Sequence, residues 1–563
     1  KLEEMISKAM EQAKVRESRM SRRLMLSVLS GTVGASFQFG FSTGFVNNMQ
    51  HYVRFYFEEK LDIDSGGDKH FQFLWSLAVS GFAIGGTIGT LVFPRMANLI
   101  GRKRTILFTT FFCYASCYLI ALPRSWAQFI LGRVLVGIGA GGACGAVPTY
   151  ITEIAPSELR GTLGTVHQLM ITVGIFIAQG LSTADFHLLG DNDLWQYSLL
   201  VPFVCTTFLW LTLPFCVDSP VYLYRKKGHE VAKDALHWLR PNTEYAQKRI
   251  YRELNYIKRE LEISAANATV KDVINDELLW RPLLVGCVVN LSMQFSGIDA
   301  VFYYSTKVFE NAGMENHFAQ VATTLVGLTN VIVTIPAMLF MDKAGRKVIQ
   351  ITGLSGMCLS YLLLTASLVN RWHTLAVFSM VLIICFFAFG PGCIAWFIIA
   401  ELVPMHARGV ATTAALLVNW GANWLIAFIF PQLHAYFKNW TFIIFILSTF
   451  LLATYTIFFL PETKGKSVLE IRETFSSESL FKVPSDPAFL KAKRNGKADN
   501  NSLTAPLMNG SSGSGAALAG MGANKGKARV PSLQDLVAMA NAEEGAKPDI
   551  GDTSGKDTYV IQT

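Results

Sequence analysis

Apolar segments long enough to cross a lipid bilayer recur along this chain, and they constrain its fold more than any other feature. A membrane-spanning helix needs about 20 mostly apolar residues, and a backbone inside lipid must satisfy its own hydrogen bonds. The sequence therefore predicts an all-α membrane protein with twelve transmembrane helices, numbered here as spans 1 to 12. The predicted spans are Leu24–Asn47, Gln72–Val92, Thr105–Leu122, Ala127–Tyr150, Leu163–Ala184, Trp195–Cys216, Arg281–Ser305, Ala319–Phe340, Val348–Val369, Thr374–Ile399, Val410–Gln432 and Trp440–Leu460.

Composition supports this fold class and excludes several others. Only 16% of the 563 residues are charged and 51% are hydrophobic, whereas roughly 25% are charged in an ordinary soluble chain. A soluble enzyme, a disordered regulator and a secreted disulfide scaffold are therefore excluded. The excess of 49 Lys and Arg over 41 Asp and Glu indicates a cytoplasmic membrane face rather than binding to nucleic acid.

The positive charges gather on one side of the predicted membrane. They lie in the N-terminal tail, in the loop 102–104, in the loop after span 8, and at Arg160 and Arg408. Cytoplasmic loops are enriched in Lys and Arg. We therefore expect both termini on the cytoplasmic side of a multi-pass plasma-membrane protein.

Five regions follow one another along the chain. Residues 1–23 are expected to form a cytoplasmic tail, 24–216 a six-helix bundle, 217–280 a cytoplasmic helical linker, 281–460 a second six-helix bundle, and 461–563 a cytoplasmic, largely disordered tail. Apolar residues in the linker recur at helical spacing, which predicts a small helical subdomain. The last region is rich in Lys, Gly, Ser, Ala and Asn, a composition that cannot bury enough apolar surface to fold alone.

Two motifs occur twice at nearly the same offset and divide the chain into halves. The pattern Glu-x-x-Pro-x-x-x-Arg-Gly begins at Glu153 and recurs at Glu401, 248 residues later. The pattern Gly-Arg-Lys begins at Gly101 and recurs at Gly345, 244 residues later. Each copy follows the corresponding span of its half, so the sequence predicts two six-span pseudo-repeats in tandem.

The charged members of these motifs are candidates for a conformational latch. They lie at cytoplasmic helix ends, where Arg can pair with Glu or with a helix C-terminus. We expect such ion pairs to hold the cytoplasmic ends of the two halves together when the site opens outward. The alternative, charge that only fixes topology, does not explain the repeated Glu and Pro. The latch candidates are Glu153, Arg160, Arg102, Glu401, Arg408 and Arg346.

Further runs complete a pattern that is specific in combination. They are Gln38–Gly44, His167-Gln168, Gln294–Ser305, Gly390-Pro391-Gly392 before Trp396, Asn419-Trp420 and Pro461–Gly465. From about Arg22 to Ile471, the chain resembles a sugar porter of the major facilitator superfamily and is similar to the animal facilitative glucose transporters. The resemblance implies two bundles that rock around a sugar site near the membrane midplane, without covalent chemistry.

Neutral amide and indole side chains inside the spans form the candidate sugar site. Sugar hydroxyls both donate and accept hydrogen bonds, whereas an amide left unpaired in lipid is costly. The alternative role, hydrogen bonding between helices, stays open for any single amide. The resemblance implies that the hexose is bound by Gln168, Gln294, Asn330, Trp396 and Asn419. Asn290 joins the candidates because it lies four residues before Gln294, on the same helical face, and Asp299 completes them.

Span 7 departs from the resembled transporters at three positions. Met293 and Asn290 each replace a Gln, and Asp299 replaces an Asn. The expected substrate is a hexose, with glucose the first candidate and fructose or galactose open. Asp299 lies about 140° from Gln294 on an unbroken helix at ~100° per residue, so we expect an unwound turn at Gly297 that lets both side chains face the cavity. Asp299 then either accepts sugar hydroxyls, which we favour, or carries a proton.

Span 1 favours downhill uniport. Proton-coupled members of the resembled family carry an acid in the first span where this chain has Ser42. The alternatives are a proton-coupled sugar symporter and a transporter-like sugar sensor that signals through its C-terminal tail. The sequence has no phosphate-loop motif, nucleophile elbow or metal-ligand spacing, so we expect no enzyme activity, cofactor or metal. The expected partners are a monosaccharide and the lipid bilayer, and nothing argues for an oligomer.

Overall fold

Long helices run through the described part of the chain in this computed structural model, which comprises residues 21–63, 67–156, 159–240, 244–263, 268–341, 344–466, 470–471 and 474–475. All of these residues fall within the unit Lys1–Val483. The predicted tails 1–23 and 461–563 lie mostly outside the described residues.

The first half consists of six membrane-length stretches. Its spans are, in order, α1 (Arg22–Gly31), joined through a π-helical turn (Thr32–Ser36) to α2 (Phe37–Phe55), then α3 (Gly67–Ile100), α4 (Arg102–Ala121), α5 (Trp126–Ile154), α6 (Arg160–Ser182) and α7 (Leu200–Thr212). Short 3-10 turns, Trp195–Leu199 and Leu213–Phe215, extend α7 at both ends. Four helices of the predicted linker follow: α8 (Pro220–Lys227), α9 (His229–Leu239), α10 (Glu244–Ile263) and α11 (Val270–Asn275).

The second half repeats the arrangement with two interrupted spans. Its helices are α12 (Glu277–Phe295), α13 (Ile298–Asn311), α14 (Asn316–Met341), α15 (Arg346–Val369), α16 (His373–Phe389), α17 (Pro391–Ile394), α18 (Ile398–Leu402), α19 (Met405–Phe437) and α20 (Ile443–Phe459). Helices α12 and α13 form span 7, and α16 to α18 form span 10. Most spans are longer than predicted because the helices continue past the apolar segments that defined the predicted spans.

The number of membrane crossings agrees with the prediction. Eleven stretches of the described residues are long and apolar enough to cross a membrane, and the last of them, His406–Phe459, has 54 residues. A helix of that length measures about 80 Å, which is far more than one crossing requires. At Lys438, where φ is 51°, the helix breaks. The stretch therefore contains spans 11 and 12, and the predicted all-α fold with twelve transmembrane helices is confirmed.

Small residues let spans 2 and 4 pack at backbone distance. A Cβ atom added at Gly137 or Gly141 of α5 would overlap the carbonyl oxygen of Phe82 or Gly86 on α3. Only glycine permits this approach, and small residues commonly serve this packing role between membrane helices.

The linker helices are fastened to one end of the bundle. The Ser21 hydroxyl at the start of α1 donates to the Leu239 carbonyl (2.6 Å), and the Arg240 guanidinium donates to the Ile154 carbonyl at the end of α5 (2.9 Å). These contacts define the linker face of the bundle, and its opposite end is called the far face below.

Candidate functional site

Span 7 is broken in the middle, where the sequence predicts an unwound turn. Helix α12 ends at Phe295, Gly297 adopts a left-handed conformation with φ 81°, and α13 begins at Ile298. Glycine reaches this region of the backbone without the steric cost that other residues incur. The predicted helix break at Gly297 is thereby confirmed, and it turns the two parts of span 7 toward the same neighbour.

That neighbour is a pair of amides on α19, spaced one helical turn apart. The Gln294 amide, before the break, donates to the Asn419 side-chain oxygen (3.0 Å). The Asn423 amide donates to the carboxyl of Asp299, which lies after the break. Asn419 and Asn423 are four residues apart and therefore lie on one helical face, so span 11 contacts span 7 on both sides of Gly297.

Asn290 has a different environment from the other candidates. Its amide donates to two backbone carbonyls, those of Gly286 (3.1 Å) and Ala395 (3.3 Å). The backbone carbonyl of Asn290 accepts a hydrogen bond from the Asn419 side-chain amide (3.2 Å). In this structure the Asn290 side chain therefore joins span 7 to span 10 by a hydrogen bond. The sequence analysis predicts instead that this amide binds the ligand.

A second group of candidates joins the two halves directly. The Trp396 indole on span 10 donates to the Gln168 side-chain oxygen on span 5 (2.8 Å). The neighbouring His167 ring meets the Trp396 ring edge-on, with centroids 5.2 Å apart, and its Nδ1 lies 2.6 Å from the Ser36 hydroxyl. Sequence reasoning missed Ser36, and it named His167 only as part of a motif without predicting a place in the site. Ser36 ends the π-helical turn of span 1, and such turns are frequent at functional sites.

Aromatic rings from both halves pack against one another next to the contact between Trp396 and Gln168. Phe39 of span 1 lies 6.4 Å from the ring of Trp396 and 5.5 Å from that of Trp420. Trp420 is 2% exposed, and its indole occupies the space that a side chain at Gly86 would fill. The arrangement offers flat apolar surfaces next to hydrogen-bonding groups.

Several buried polar atoms of this region have no hydrogen-bond partner among the described residues. Four of them are Gln294 Oε1, Asn330 Nδ2, Trp420 Nε1 and Gln38 Nε2. Burying a polar group without a partner is costly, so these atoms are suited to bind the hydroxyls of a ligand. Asn330 is fully buried on α14, and no hydrogen bond in the described part joins it to the other candidates.

The latch candidates pair within each half. The Arg102 guanidinium lies 2.9 Å from the Glu153 carboxylate, and that of Arg346 lies 3.0 Å from the Glu401 carboxylate. Arg408 donates to the Ala400 carbonyl (2.9 Å), and the Arg160 side chain lies outside the described part. The expected ion pairs between the halves concern a state open to the outside, and they stay a prediction.

Two acids that sequence reasoning did not connect cap the helices that carry these arginines. Asp218 accepts hydrogen bonds from the backbone N–H groups of Arg102 (3.0 Å) and Lys103 at the start of α4. Glu462 accepts from those of Arg346 (2.8 Å) and Lys347 at the start of α15. Both acids sit at a helix N-terminus, where negative charge is favourable.

The two capping acids extend the repeat. They are separated by 244 residues, the offset of the Gly-Arg-Lys motif, and this spacing is the signal that was available in the sequence. Burial raises the pKa of the Asp218 carboxyl, while the N–H groups that donate to it act in the opposite direction.

Neutral polar groups join the halves at the far face. The Asn47 amide of span 1 donates to the Phe302 carbonyl and to the Ser305 hydroxyl on α13, both at 2.8 Å. The Thr306 hydroxyl donates to the Asn48 side-chain oxygen (2.6 Å). These contacts, together with one between the hydroxyls of Thr183 and Thr324 at 2.7 Å, are called the far-face network below. Because each one links the first half to the second, the two halves are closed together at this end.

Comparison with known proteins places this geometry in a family. The family model described as "Sugar (and other) transporter" matches residues 28–475. The chain belongs to this sugar transporter family. It is 33% identical over 477 residues to facilitated glucose transporter member 3 of Mus musculus, covering 82% of this chain and 94% of that protein. It is 34% identical over 479 residues to facilitated glucose transporter member 1 of Gallus gallus, covering 81% and 94%.

Solved structures show the same architecture. The proton:xylose symporter XylE of the major facilitator superfamily, bound to 6-bromo-6-deoxy-D-glucose, matches with a TM-score of 0.69 at 25% identity, covering 81% of this chain and 100% of that one. The inward-open xylose transporter XylE from E. coli matches with a TM-score of 0.64. The chain is therefore a multi-pass membrane transporter with the major facilitator fold, and it is not an enzyme.

Proposed function

We propose that this protein carries a hexose, with glucose the first candidate, across the plasma membrane by facilitative uniport, with both termini in the cytoplasm. The single observation that carries the proposal is the set of buried neutral amides where span 11 meets the broken span 7. Gln294 and Asn419 form its centre, and Gln168 with Trp396 adds a contact between the halves.

The chemistry of the set fits a monosaccharide. Carboxamides present donors and acceptors in fixed positions, as sugar hydroxyls require. The indoles of Trp396 and Trp420 provide flat surfaces for the apolar faces of a sugar ring. The relatives named facilitated glucose transporters support the choice of a hexose, and the replacement of Gln by Met293 next to this set keeps the exact hexose open.

Span 1 supports uniport. The buried guanidinium of Arg133 donates to the backbone carbonyls of Ser42 (2.9 Å) and Ala78 (3.2 Å). An acid at position 42 would give this cation a titratable partner, and the serine cannot exchange a proton near neutral pH. Uniport needs no such group.

The far-face network supports alternating access. Its hydrogen bonds connect the halves, so they must break when the far face opens and reform when it closes. Uncharged groups suit this task because their net contribution is only about 1 kcal/mol per bond, which permits a reversible cycle.

A direct test is uptake of labelled hexoses by the purified full chain in proteoliposomes, with other hexoses as competitors. Gln294→Ala and Asn419→Ala remove the central amide pair and should lower kcat/KM at least tenfold. Asn439→Ala is the matched control, since its amide donates to the Leu368 carbonyl within the second half, and it should retain uptake. Unchanged uptake in both site variants would contradict the proposed site.

A second candidate function, proton-coupled sugar symport, is favoured by Asp299 and by the likeness to a proton symporter. An imposed pH gradient separates the two functions. Uniport predicts that sugar equilibrates without accumulating, whereas uphill accumulation that disappears in Asp299→Asn would establish symport.

A third candidate, a sugar sensor, is tested by removing residues 476–563, which begin after the last described residue. Transport predicts that the shortened chain still takes up hexose. Intact binding without uptake in the full chain would favour a sensor.

A further inference from the structure

Asp299 is an acid among otherwise neutral groups of the candidate sugar site. It lies in the first turn of α13, two residues after the break at Gly297, and is 6% exposed. Its carboxyl accepts a hydrogen bond from the Asn423 amide, one helical turn from the Asn419 that binds Gln294. The carboxyl therefore belongs to the same surface as the central amide pair.

No cation of the described residues forms an ion pair with this carboxyl. Arg133, the buried cation of span 4, is directed to the carbonyls of Ser42 and Ala78. It also lies over the ring of Phe82, 5.1 Å from its centroid. The described residues thus supply a neutral amide to Asp299 and no countercharge.

The titratable groups near Asp299 are phenols. The hydroxyl of Tyr303, one turn along α13, lies 3.3 Å from the side-chain amide of Asn423, which also donates to Asp299. Tyr361 lies on span 9, and its buried hydroxyl has no hydrogen-bond partner among the described residues. Phenols donate hydrogen bonds and do not neutralise a carboxylate.

We propose that Asp299 makes the site prefer a sugar that carries a protonated amine, of the class of 2-amino-2-deoxyhexoses. Neutral hexoses still bind, but less favourably than the amino sugar. The ammonium of such a sugar supplies the missing countercharge and donates to the carboxylate, a pairing that is shorter and stronger than one between neutral groups. This inference rests on the proposed function, because it assigns a substrate class to the same site. The inference assigns different roles to these residues: Asp299 binds the ammonium of an amino sugar, whereas the amides of Gln294 and Asn419 bind hydroxyls that both kinds of sugar carry.

The test compares glucosamine with 2-deoxyglucose in proteoliposomes that contain the full chain. At pH 6.5 the amine is mostly protonated, and the ratio of the two kcat/KM values is measured for the wild type, Asp299→Asn and Asp299→Glu. Because both sugars are measured on the same preparation, the ratio does not depend on the amount of folded protein. We expect the ratio to fall at least tenfold in Asp299→Asn and to be retained largely in Asp299→Glu. Raising the pH to 8.5, which deprotonates the sugar amine, should lower the wild-type ratio and leave that of Asp299→Asn unchanged.

Binding supplies a readout that does not depend on transport. Glucosamine at pH 6.5 should raise the thermal unfolding temperature of the purified wild type more than 2-deoxyglucose does, and this difference should vanish in Asp299→Asn. Equal ratios and equal thermal shifts in the wild type and Asp299→Asn overturn the inference. An increase in 2-deoxyglucose uptake at acid pH that is lost in Asp299→Asn also overturns it, because the carboxyl then binds a proton. If the purified chain binds glucosamine selectively but neither sugar is taken up, the proposed transport fails and the selectivity stands.

Discussion

Replacing Asn47 with alanine should shift the transporter toward the state that is open at the far face. Asn47 makes three short contacts with the other half: to the Phe302 carbonyl (2.8 Å), to the Ser305 hydroxyl (2.8 Å), and from the Thr306 backbone N–H (3.2 Å). All three exist only while that face is closed. The variant removes them from the closed state and changes little in the open one.

The size of the shift follows from the number of bonds. Each hydrogen bond contributes about 0.5–1.5 kcal/mol net, so the loss of three destabilises the closed far face by about 1.5–4.5 kcal/mol. Since about 1.4 kcal/mol corresponds to a tenfold change in an equilibrium constant, the ratio of far-open to far-closed molecules should rise roughly 10-fold to 1,500-fold.

Hydrogen exchange with mass spectrometry measures this ratio on the purified chain in lipid nanodiscs. Amides of α13 around Ser305 should exchange faster in Asn47→Ala, while peptides at the linker face should exchange more slowly or at the same rate. Asn439→Ala is the control, because it loses one hydrogen bond, to Leu368, within a single half. Unchanged exchange around Ser305 would refute the reasoning, and equal acceleration at both faces would show a general loss of stability instead.

Three further variants test other parts of the structure. Gly297→Ala places a Cβ in a backbone conformation with φ 81°, which costs about 1–2 kcal/mol, and it should lower both the unfolding temperature and hexose uptake. Glu401→Gln weakens the ion pair with Arg346 and should destabilise the purified chain by about 1–3 kcal/mol, whereas Glu310→Gln, in a more exposed pair, should cost at most about 1 kcal/mol. Asp218→Ala removes a helix cap and should cost about 0.5–2 kcal/mol, measured as a lower unfolding temperature; no change in any of the three would contradict the role assigned to that residue.

Much of the fold could be predicted from the sequence because its strongest signals are local or periodic. The length of the apolar segments defines the spans, and the repeated motifs define the halves. The break at Gly297 could be predicted because Gln294 and Asp299 have no common face on a continuous helix, and glycine is the residue that tolerates the required turn. The spacing of four places Asn419 and Asn423 on one helical face, whereas their partners on span 7 are known only from the structure.

The side-chain contacts between different helices could not be predicted in the same way. Trp396 meets Gln168 across 228 positions, and sequence spacing says nothing about which helices of the two halves face each other. The contact between the Asn290 amide and the Ala395 carbonyl of span 10 could not be predicted for the same reason, and the proposed role of Asn290 in binding the sugar stays a prediction. The far-face network was missed because neutral residues such as Asn47 carry no charge signal.

The central claim is that a hexose binds between the two halves at the amides where span 11 meets the broken span 7. Determining the structure of the full chain with a bound hexose tests it most directly. The claim predicts sugar density within hydrogen-bond distance of Gln294 and Asn419, with an indole of Trp396 or Trp420 next to the ring. Density elsewhere, with these amides still bonded to each other as they are here, would contradict it.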